Sequence, residues 1–274
     1  MKIDSELLEA VIQISLDAGK AILEVYNRDE PIAHESKADS SPVTEADLAA
    51  HRIMHPALER MDSGVPVLSE EGSLPSFDDR KSWSKYWIID PLDGTKEFIK
   101  KNGEFTVNIA LVENGIPILG VVHVPVLDIT YAGIAGQGAF KRQGKADQKI
   151  VTRGMPKNEN DGICVVASRS HGSEAVEACV RKLQERFSPI ERKSMGSSLK
   201  LCLVAEGSAD IYPRLAPTSE WDTAAAQAVV EAAGGTVVDA ELNPLRYNQK
   251  EEILNPHFYV LGDAAFDWPS LLSP

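Results

Sequence analysis

Apolar positions near the start of the chain recur at three- and four-residue intervals, which is the spacing of an amphipathic helix. The residues that set this pattern are Leu8, Val11, Ile12, Ser15, Ala18, Ile22 and Tyr26. Asp4 or Ser5 is placed to cap this predicted helix. After a polar loop, Thr44 begins a second predicted helix, and Asp47 follows at the spacing of a capping box. Pro56 lies inside that helix, and we expect it to kink or divide the helix.

Short apolar runs separated by turn sequences follow the second helix, and they predict a meandering, largely antiparallel sheet. The predicted strands of this part are 65–68, 86–89, 105–112, 118–124, 129–132 and 139–142. Beyond a polar stretch at 143–161, the predicted strands are 163–167, 209–212, 236–238 and 258–261. They alternate with predicted helices at 173–187, 197–206 and 219–233.

The change in pattern divides the chain into an α+β half at 1–150 and an α/β half at 151–274. Alternating strands and helices predict a sheet with both faces covered in the second half. The fold class that unites the two halves is an α+β and α/β layered sandwich, in the order α-β-α-β-α.

Composition narrows the classes of function. The chain has 274 residues, 28 Lys and Arg and 41 Asp and Glu, which gives a net charge of −13. Such an acidic chain is a poor candidate for binding duplex nucleic acid, because that binding relies on cations that neutralise phosphates. The longest apolar stretch, 115–127, contains two prolines and a histidine and is too short to span a bilayer.

The cysteine pattern points to a reducing compartment. Cys164, Cys179 and Cys202 are widely spaced and form no metal or redox motif. We expect reduced, buried thiols in a cytoplasmic protein. No secretory signal is readable at the N-terminus, and peripheral association with the inner face of the cell membrane stays open.

The clearest chemical signal is the segment WIIDPLDGT, an apolar strand that ends in two carboxylates, a glycine and a hydroxyl. A turn at Pro91 can bring Asp90 and Asp93 to one side, and such paired hard oxygen ligands suit Mg²⁺. Gly94 lets a phosphate approach the backbone, where the N–H groups of Gly94 and Thr95 can bind it. From these residues alone, a turn whose carboxylates only cap amides is the alternative.

Two further acidic segments strengthen the metal hypothesis. Glu70 and Glu71 follow an apolar strand, and Asp222 lies in the first turn of a helix of small apolar residues. Taken singly, these acids fit a solvated strand end and a favourable charge at a helix N-terminus. Together with Asp90 and Asp93 they can face one crevice, which favours a two-metal site.

These segments resemble the Mg²⁺-dependent, lithium-sensitive phosphatases of the inositol monophosphatase superfamily. The motifs that carry the resemblance are KADSSPVTEAD at 37–47, SEEG at 69–72, WIIDPLDGT at 87–95 and WDTAAAQAVVEAAGG at 221–235. Within the superfamily the chain is most similar to the bacterial 3′(2′),5′-bisphosphate nucleotidases. That similarity rests on KEFI at 96–99, the doubled acid at 70–71, SRSH at 168–171 and SSLKLCLVAEGSADIYPR at 197–214.

The resemblance implies an inositol monophosphatase-like fold and a specific reaction. The reaction is hydrolysis of adenosine 3′,5′-bisphosphate to AMP and phosphate, which clears a by-product of sulfate activation. It also implies two Mg²⁺ ions, with provision for a third, weaker ion held near Glu70 through waters. One ion is bound by Glu70, Asp90 and the carbonyl of Leu92, and the second by Asp90, Asp93 and Asp222.

The remaining roles are implied in the same way. Asp47 and Thr95 match the pair that activates the attacking water, and Glu70 is grouped with them as catalytic. The residues implied in substrate binding are Gly94, Thr95, His171, Ser197, Lys200, Arg214 and Asp222.

Two alternatives stay open at this stage. One is the same chemistry on an inositol or sugar phosphate, and the other is a metal-dependent module that binds a phosphorylated metabolite without hydrolysing it. The sequence predicts a small-molecule partner and does not distinguish a monomer from a homodimer.

Overall fold

The computed structural model describes residues 2–36, 42–167 and 174–272. Within these ranges the helices are α1 (Ser5–Tyr26), α2 (Glu45–Met61), α3 (Phe77–Arg80), α4 (Thr95–Ile99), α5 (Glu174–Gln184), α6 (Leu199–Ala205), α7 (Glu220–Ala232) and α8 (Pro269–Leu272). The strands of the first part are β1 (His34–Ser36), β2 (Pro42–Thr44), β3 (Val67–Ser69), β4 (Lys85–Asp93), β5 (Thr106–Glu113), β6 (Ile116–Val124), β7 (Ile129–Ile134), β8 (Gly138–Gln143) and β9 (Ala146–Ile150). They are followed by β10 (Ile163–Ala167), β11 (Ile190–Ser194), β12 (Ile211–Arg214), β13 (Thr236–Asp239) and β14 (Phe258–Leu261).

The first large sheet has seven strands in the order β3-β4-β5-β6-β7-β8-β9. Its neighbours from β4 to β9 pair antiparallel, and only β3 runs parallel to β4. The predicted meander is therefore confirmed. The edge strand β9 was not predicted, because four of its five positions are exposed and carry no alternating apolar pattern.

The second sheet has five strands in the order β11-β10-β12-β14-β13. Strand β10 pairs parallel with β11 and β12, while β14 pairs antiparallel with β12 and β13. Strand β11 was also missing from the sequence prediction. It is an edge strand of mostly charged residues, IERKS, whose strand state follows from pairing with β10.

Helices cover both sheets and fill the space between them. Helices α1 and α2 pack on one face of the seven-stranded sheet, in a core with Trp87 and Ile109. Helices α6 and α7 lie between the sheets and share a core with Ile88 and Val260. Helices α5 and α8 cover the outer face of the five-stranded sheet. The predicted α-β-α-β-α layering is confirmed.

Helix ends largely follow the predicted capping residues. Asp4 caps α1, with the N–H of Leu7 donating to its Oδ1 at 3.1 Å. Thr44 and Asp47 form the predicted capping box at the start of α2. Of the two outcomes expected at Pro56, a kink or a division of α2, the division is wrong, since one helix spans Glu45–Met61. Buried Met54 and Leu58 flank the proline and anchor the helix on both sides of it in the core.

Helix α7 approaches the sheets closely because its first half is rich in alanine. A Cβ atom on Gly120 of β6 would lie only 2.1 Å from the carbonyl oxygen of Ala225. The absence of a side chain at Gly120 therefore sets the distance between α7 and the seven-stranded sheet. No helix in the described parts of the chain is long and apolar enough to cross a membrane.

Candidate active site

A β-bulge near the end of β4 brings two aspartates to one side of the strand. Asp90 pairs with Asn108 and Asp93 with Thr106, so β4 carries one more residue than β5 between these pairs. Side chains alternate along a regular strand, and residues three apart would face opposite sides. The extra residue cancels that alternation, and Pro91 suits a bulge because it has no N–H to pair. The N–H of Leu92 donates to Asp90 Oδ1 at 3.0 Å.

Helix α7 supplies a third carboxylate at the same place. Asp222 belongs to a capping box in which the N–H of Ser219 donates to Asp222 Oδ2 at 2.9 Å. Carboxylate oxygens of Asp90, Asp93 and Asp222 all lie within 4.8 Å of one another. The structure thus brings together three of the predicted metal ligands, from a strand of the first half and a helix of the second.

Glu70 joins this cluster from β3. Its N–H donates to the carbonyl of Ile89 at 3.2 Å, which extends the parallel pairing of β3 and β4 and sets Glu70 beside Asp90. Burial raises the pKa of Asp90 well above its usual value, and the charges of Glu70, Asp93 and Asp222 raise it further. Burial and the neighbouring acids raise the pKa of Asp222 in the same way.

The arrangement has the chemistry of a divalent-cation site. Burial also raises the pKa of Asp93, although the Lys200 ammonium and a hydrogen bond from Ser198 oppose that rise. Ionised carboxylates this close repel one another in a low dielectric, and a bound cation removes the repulsion. All the side-chain donors are hard oxygens, which suit Mg²⁺.

Asp47 and Thr95 meet beside the acidic cluster. The Thr95 hydroxyl donates to Asp47 Oδ1 at 3.2 Å. The other carboxylate oxygen, Oδ2, accepts from the backbone N–H of Thr44 at 2.8 Å and from its hydroxyl at 2.5 Å. Burial raises the pKa of Asp47 despite these hydrogen bonds. One carboxylate therefore caps α2 and also holds the hydroxyl of Thr95.

Gly94 makes the tight connection between β4 and α4. It has φ of 96°, the left-handed region that favours glycine, and it precedes Thr95 at the start of the helix. A Cβ atom here would lie 3.3 Å from both the carbonyl oxygen of Glu104 and Cβ of Ser197. Gly94 is thus required by backbone geometry as well as by its position at the site.

A cavity of about 190 Å³ opens next to the acidic cluster. Its lining includes six of the residues predicted for the site, namely Asp93, Gly94, Ser197, Lys200, Arg214 and Asp222. Carboxylates and basic side chains therefore line one cavity.

The two basic residues predicted for the site, Lys200 and Arg214, are held by different contacts. Lys200 is 8% exposed, and its Nζ donates to the carbonyls of Ser197 at 2.7 Å and Met195 at 3.3 Å. Burial lowers the pKa of Lys200, and the Asp93 carboxylate opposes this change. Arg214 donates through Nη2 to the carbonyl of Pro217 at 2.9 Å. Arg214 Nε and Ser197 Oγ are buried and have no hydrogen-bond partner among the described residues, which leaves both able to bind a ligand.

Ser198 and Asn108 are components of the site that the sequence did not indicate. Ser198 Oγ lies 2.9 Å from Asp93 Oδ2 and 2.6 Å from the carbonyl oxygen of Asp222, and its single proton can serve either. Asn108 Nδ2 donates to the same hydroxyl at 2.8 Å. These contacts tie the end of β4 to α7. The sequence feature that could have indicated this part of the site is Asn108, a single asparagine inside the apolar strand β5.

One predicted site residue cannot be placed. His171 and the SRSH segment that contains it lie outside the described residues. The lysine at position 37 and the four residues after it also lie outside. The three cysteines are unpaired and buried, in agreement with the sequence prediction.

Comparison with known proteins gives a consistent result. The model of the inositol monophosphatase family matches residues 3–264. The 3′(2′),5′-bisphosphate nucleotidase CysQ of Escherichia coli K12 is 47% identical over 254 residues, which cover 93% of this chain and 99% of that protein. The protein of the same name from Haemophilus influenzae is 39% identical and covers 99% of this chain and 98% of its own length.

A solved structure agrees with these relatives. The crystal structure of CysQ from Bacteroides thetaiotaomicron, a bacterial member of the inositol monophosphatase family, superimposes with a TM-score of 0.83. It is 43% identical and covers 94% of this chain and 97% of its own. The family match, the relatives and the fold agree over nearly the whole length, and this chain belongs to the inositol monophosphatase family.

Proposed function

We propose that this chain is a Mg²⁺-dependent 3′(2′),5′-bisphosphate nucleotidase, which hydrolyses adenosine 3′,5′-bisphosphate to AMP and phosphate. The observation that carries the proposal is one cavity lined by acidic residues and by three cations, Lys96, Lys200 and Arg214. The relatives named 3′(2′),5′-bisphosphate nucleotidase support a bisphosphate nucleotide as the substrate class. The cellular role that follows is removal of this nucleotide during sulfur assimilation.

The acidic cluster fits Mg²⁺ because its donors are crowded and oxygen-based, with Asp90 buried and Asp93 and Asp222 half-buried. Glu70, Asp90 and the Leu92 carbonyl are proposed for one ion. Asp90, Asp93 and Asp222 are proposed for the second, and a third ion near Glu70 through waters completes the proposed set. Bound Mg²⁺ would supply charge neutralisation on the phosphate oxygens and a lowered pKa for the attacking water.

The chain's own contribution to water activation is the Thr95–Asp47 pair. Thr95 Oγ1 lies 3.2 Å from Asp47 Oδ1 and 3.5 Å from the carbonyl oxygen of Leu92. Donation to the nearer acceptor, Asp47, leaves the lone pairs of Thr95 Oγ1 to accept a proton from the water. Thr95 can then pass its own proton to Asp47, whose pKa is raised by burial. The N–H groups of Gly94 and Thr95 are proposed to hold the phosphate that is cleaved.

Substrate recognition is assigned to the part of the cavity that contains Lys200 and Arg214. Arg214 Nε and Ser197 Oγ, which have no hydrogen-bond partner among the described residues, are proposed to bind the phosphate that is retained. Lys200 adds positive charge from a buried position and orders the loop through the carbonyl of Ser197. His171 is proposed as an additional contact to the nucleotide.

A phosphate-release assay with and without Mg²⁺ tests this function. The substrates are adenosine 3′,5′-bisphosphate, inositol 1-phosphate and fructose 1,6-bisphosphate, and Asp90→Asn serves as the control for contaminating phosphatase. We expect Mg²⁺-dependent release that is fastest with the nucleotide and is inhibited by lithium. Faster release from inositol 1-phosphate or fructose 1,6-bisphosphate would favour the inositol or sugar phosphate alternative. Metal-dependent binding without release would favour a binding module.

A cytoplasmic location and a monomeric or homodimeric state remain part of the proposal. Cell fractionation tests the location, including any association with the inner face of the membrane. Light scattering on the purified chain distinguishes the two oligomeric states.

A further inference from the structure

A buried polar network lies at the start of α7, away from the acidic cluster. Arg80 and Glu220 are 1% and 2% exposed, and Asn248 connects them. Arg80 Nη1 donates to Asn248 Oδ1 at 2.5 Å, and Asn248 Nδ2 donates back to the carbonyl of Arg80 at 2.6 Å. The backbone N–H of Asn248 lies 3.0 Å from both carboxylate oxygens of Glu220.

The network fastens the loop after residue 247 to two elements at once. Arg80 Nη2 donates to the carbonyls of Lys250, at 2.9 Å, and Glu251, which attaches the loop to α3. Asn248 joins the same loop to Glu220, the first residue of α7. A buried carboxylate and a buried guanidinium are costly unless they are paired and hydrogen-bonded. Replacing buried charged groups by apolar residues is often neutral for stability, so the network points to a role besides stability.

The loop also binds the backbone at the start of α7. The N–H of Glu220 donates to the carbonyl of Ile253 at 2.9 Å. Asn255 Nδ2 donates to the carbonyl of Ser219 at 2.8 Å. Ser219 and Glu220 belong to the capping box and first turn that contain Asp222. Because these residues share one helical turn, the contacts that fix Ser219 and Glu220 also fix the backbone from which the Asp222 carboxylate projects.

We propose that Glu220 is a positioning residue for the metal centre. Through Asn248 and Arg80 it fixes the first turn of α7, and it thereby holds Asp222 against Asp90 and Asp93. Glu220 itself touches neither substrate nor metal in this assignment. The inference rests on the metal centre proposed above. Measuring metal binding to the protein without substrate distinguishes failure of this inference from failure of the proposed metal centre.

The test measures Mn²⁺ binding to the full-length protein by titration calorimetry and by the loss of its electron paramagnetic resonance signal. Outer partners of metal ligands change metal affinity by about tenfold to a hundredfold. We expect Glu220→Ala to weaken binding within that range. Glu220→Gln should recover most of the affinity, because its amide oxygen still accepts from the N–H of Asn248. The Mg²⁺ activation constant should rise in parallel, with a smaller change in the KM for the nucleotide.

Glu231→Ala is the matched control, because Glu231 is a carboxylate of the same helix that pairs with Gln227 far from the cluster. It should leave Mn²⁺ affinity unchanged. Wild-type affinity in folded Glu220→Ala, or an equal loss in Glu231→Ala, would overturn the inference. Failure of the wild type to bind Mn²⁺ would overturn the proposed metal centre together with it.

Asn248→Gly keeps the test decisive if Glu220→Ala does not fold. Asn248 has φ of 58°, a conformation that glycine adopts readily. The substitution retains the backbone N–H at this position, which donates to the Glu220 carboxylate. It removes only the side-chain link to Arg80. A partial loss of Mn²⁺ affinity is the expected result, and unchanged affinity would refute the role of Arg80 and Asn248.

Discussion

Asp90 is the most unfavourably placed charge of the site in the absence of a cation. It is buried, and three neighbouring acids raise its pKa further above the usual value. A carboxyl group whose pKa rises on folding destabilises the folded state at every pH above its pKa in the unfolded chain. The charge needed for metal binding is therefore expected to reduce the stability of the metal-free protein.

Asp90→Asn should separate these two effects. We expect loss of Mg²⁺-dependent turnover, because Asp90 is the only carboxylate assigned to both ions, and a higher melting temperature of the metal-free protein. The measurements are phosphate release at saturating Mg²⁺ and thermal unfolding in chelator. Asp78→Asn, at an 86% exposed side chain, is the control and should change neither. Near-normal turnover by Asp90→Asn would contradict the ligand assignment.

Arg214 and Lys200 should affect recognition more than chemistry. A charge-assisted hydrogen bond contributes about 1.5–3 kcal/mol, which corresponds to roughly tenfold or more in kcat/KM. We expect Arg214→Ala and Lys200→Ala to lower kcat/KM for adenosine 3′,5′-bisphosphate by that factor. Hydrolysis of AMP or inositol 1-phosphate should change little, because these compounds lack the second phosphate. Equal losses on both classes would assign the residues to the fold or to the general site.

Single residues also show which parts of the acidic cluster the sequence indicated. Asp90 and Asp93 were predicted because they follow an apolar strand, and Asp222 because it lies in the first turn of a helix of small apolar residues. The structure places the three carboxylates together. Ser198 and Asn108 were not predicted, since their role depends on contacts between distant elements. Lys200 was implied in substrate binding only by resemblance, and its burial follows from the packing of α6.

At the scale of elements, the position of α7 depends on a missing side chain in β6. Gly120→Ala would put a Cβ 2.1 Å from the carbonyl oxygen of Ala225 and 2.8 Å from Cβ of Ala228. Overpacking of this kind costs about 1–3 kcal/mol. Because the clash pushes on the helix that carries Asp222, we expect lower stability to urea together with weaker Mg²⁺ activation. Gly64→Ala, at an exposed glycine, should show neither effect, and wild-type behaviour of Gly120→Ala would contradict the close packing.

The contact between α1 and β6 should make stability depend on pH. His123 is buried beneath Gly19 and next to Thr130, and burial lowers its pKa from 6.5 to about 4. Between these values the unfolded chain binds a proton that the folded protein does not, so stability falls as the pH falls. When the pH is lowered from 7.5 to 5, the free energy of unfolding of the wild type should fall by about 2 kcal/mol more than that of His123→Asn. Urea unfolding at the two pH values measures this difference.

The control for this prediction is His34→Asn, since His34 is exposed. Its free energy of unfolding should change between the two pH values by the same amount as that of the wild type. An identical loss in His123→Asn and in the wild type would contradict the assignment to His123.

Elements with an apolar face were predicted well, and the two edge strands with mostly exposed side chains were not. Helices α1 and α2 and the central strands bury a regular pattern of apolar residues, which the sequence displays. Strands β9 and β11 expose most of their side chains and owe their conformation to a neighbouring strand. Local sequence contains no signal for a pairing that is decided by a distant segment.

At the scale of the whole molecule, the middle helical layer belongs to both predicted halves. Helices α6 and α7 come from 151–274, yet they pack against the seven-stranded sheet as well as their own. The acidic cluster repeats this pattern, since Asp90 and Asp93 come from the first half and Asp222 from the second. The division of the chain at residue 150 stays a prediction, and the acidic cluster requires residues from both halves.

Metal binding should therefore stabilise the whole fold. An ion shared by β4 and α7 binds only when the two halves are docked, and a ligand that binds only the folded state adds about 2.7 kcal/mol at a hundred times its Kd. For a chain of this size each kcal/mol raises the melting temperature by about 2–4 °C, so a shift of about 5–10 °C is expected. The measurement is thermal unfolding in chelator and over a Mg²⁺ titration.

Asp222→Asn provides the decisive comparison for this stabilisation. It removes the only carboxylate of the acidic cluster Asp90, Asp93 and Asp222 that comes from the second half, so most of the Mg²⁺-dependent shift should disappear. Asp17→Asn, at a partly exposed residue of α1, should keep the full shift. If Asp222→Asn retained the wild-type shift, the ion would not connect the halves. If the wild type showed no shift, Mg²⁺ would not bind at a site formed by folding.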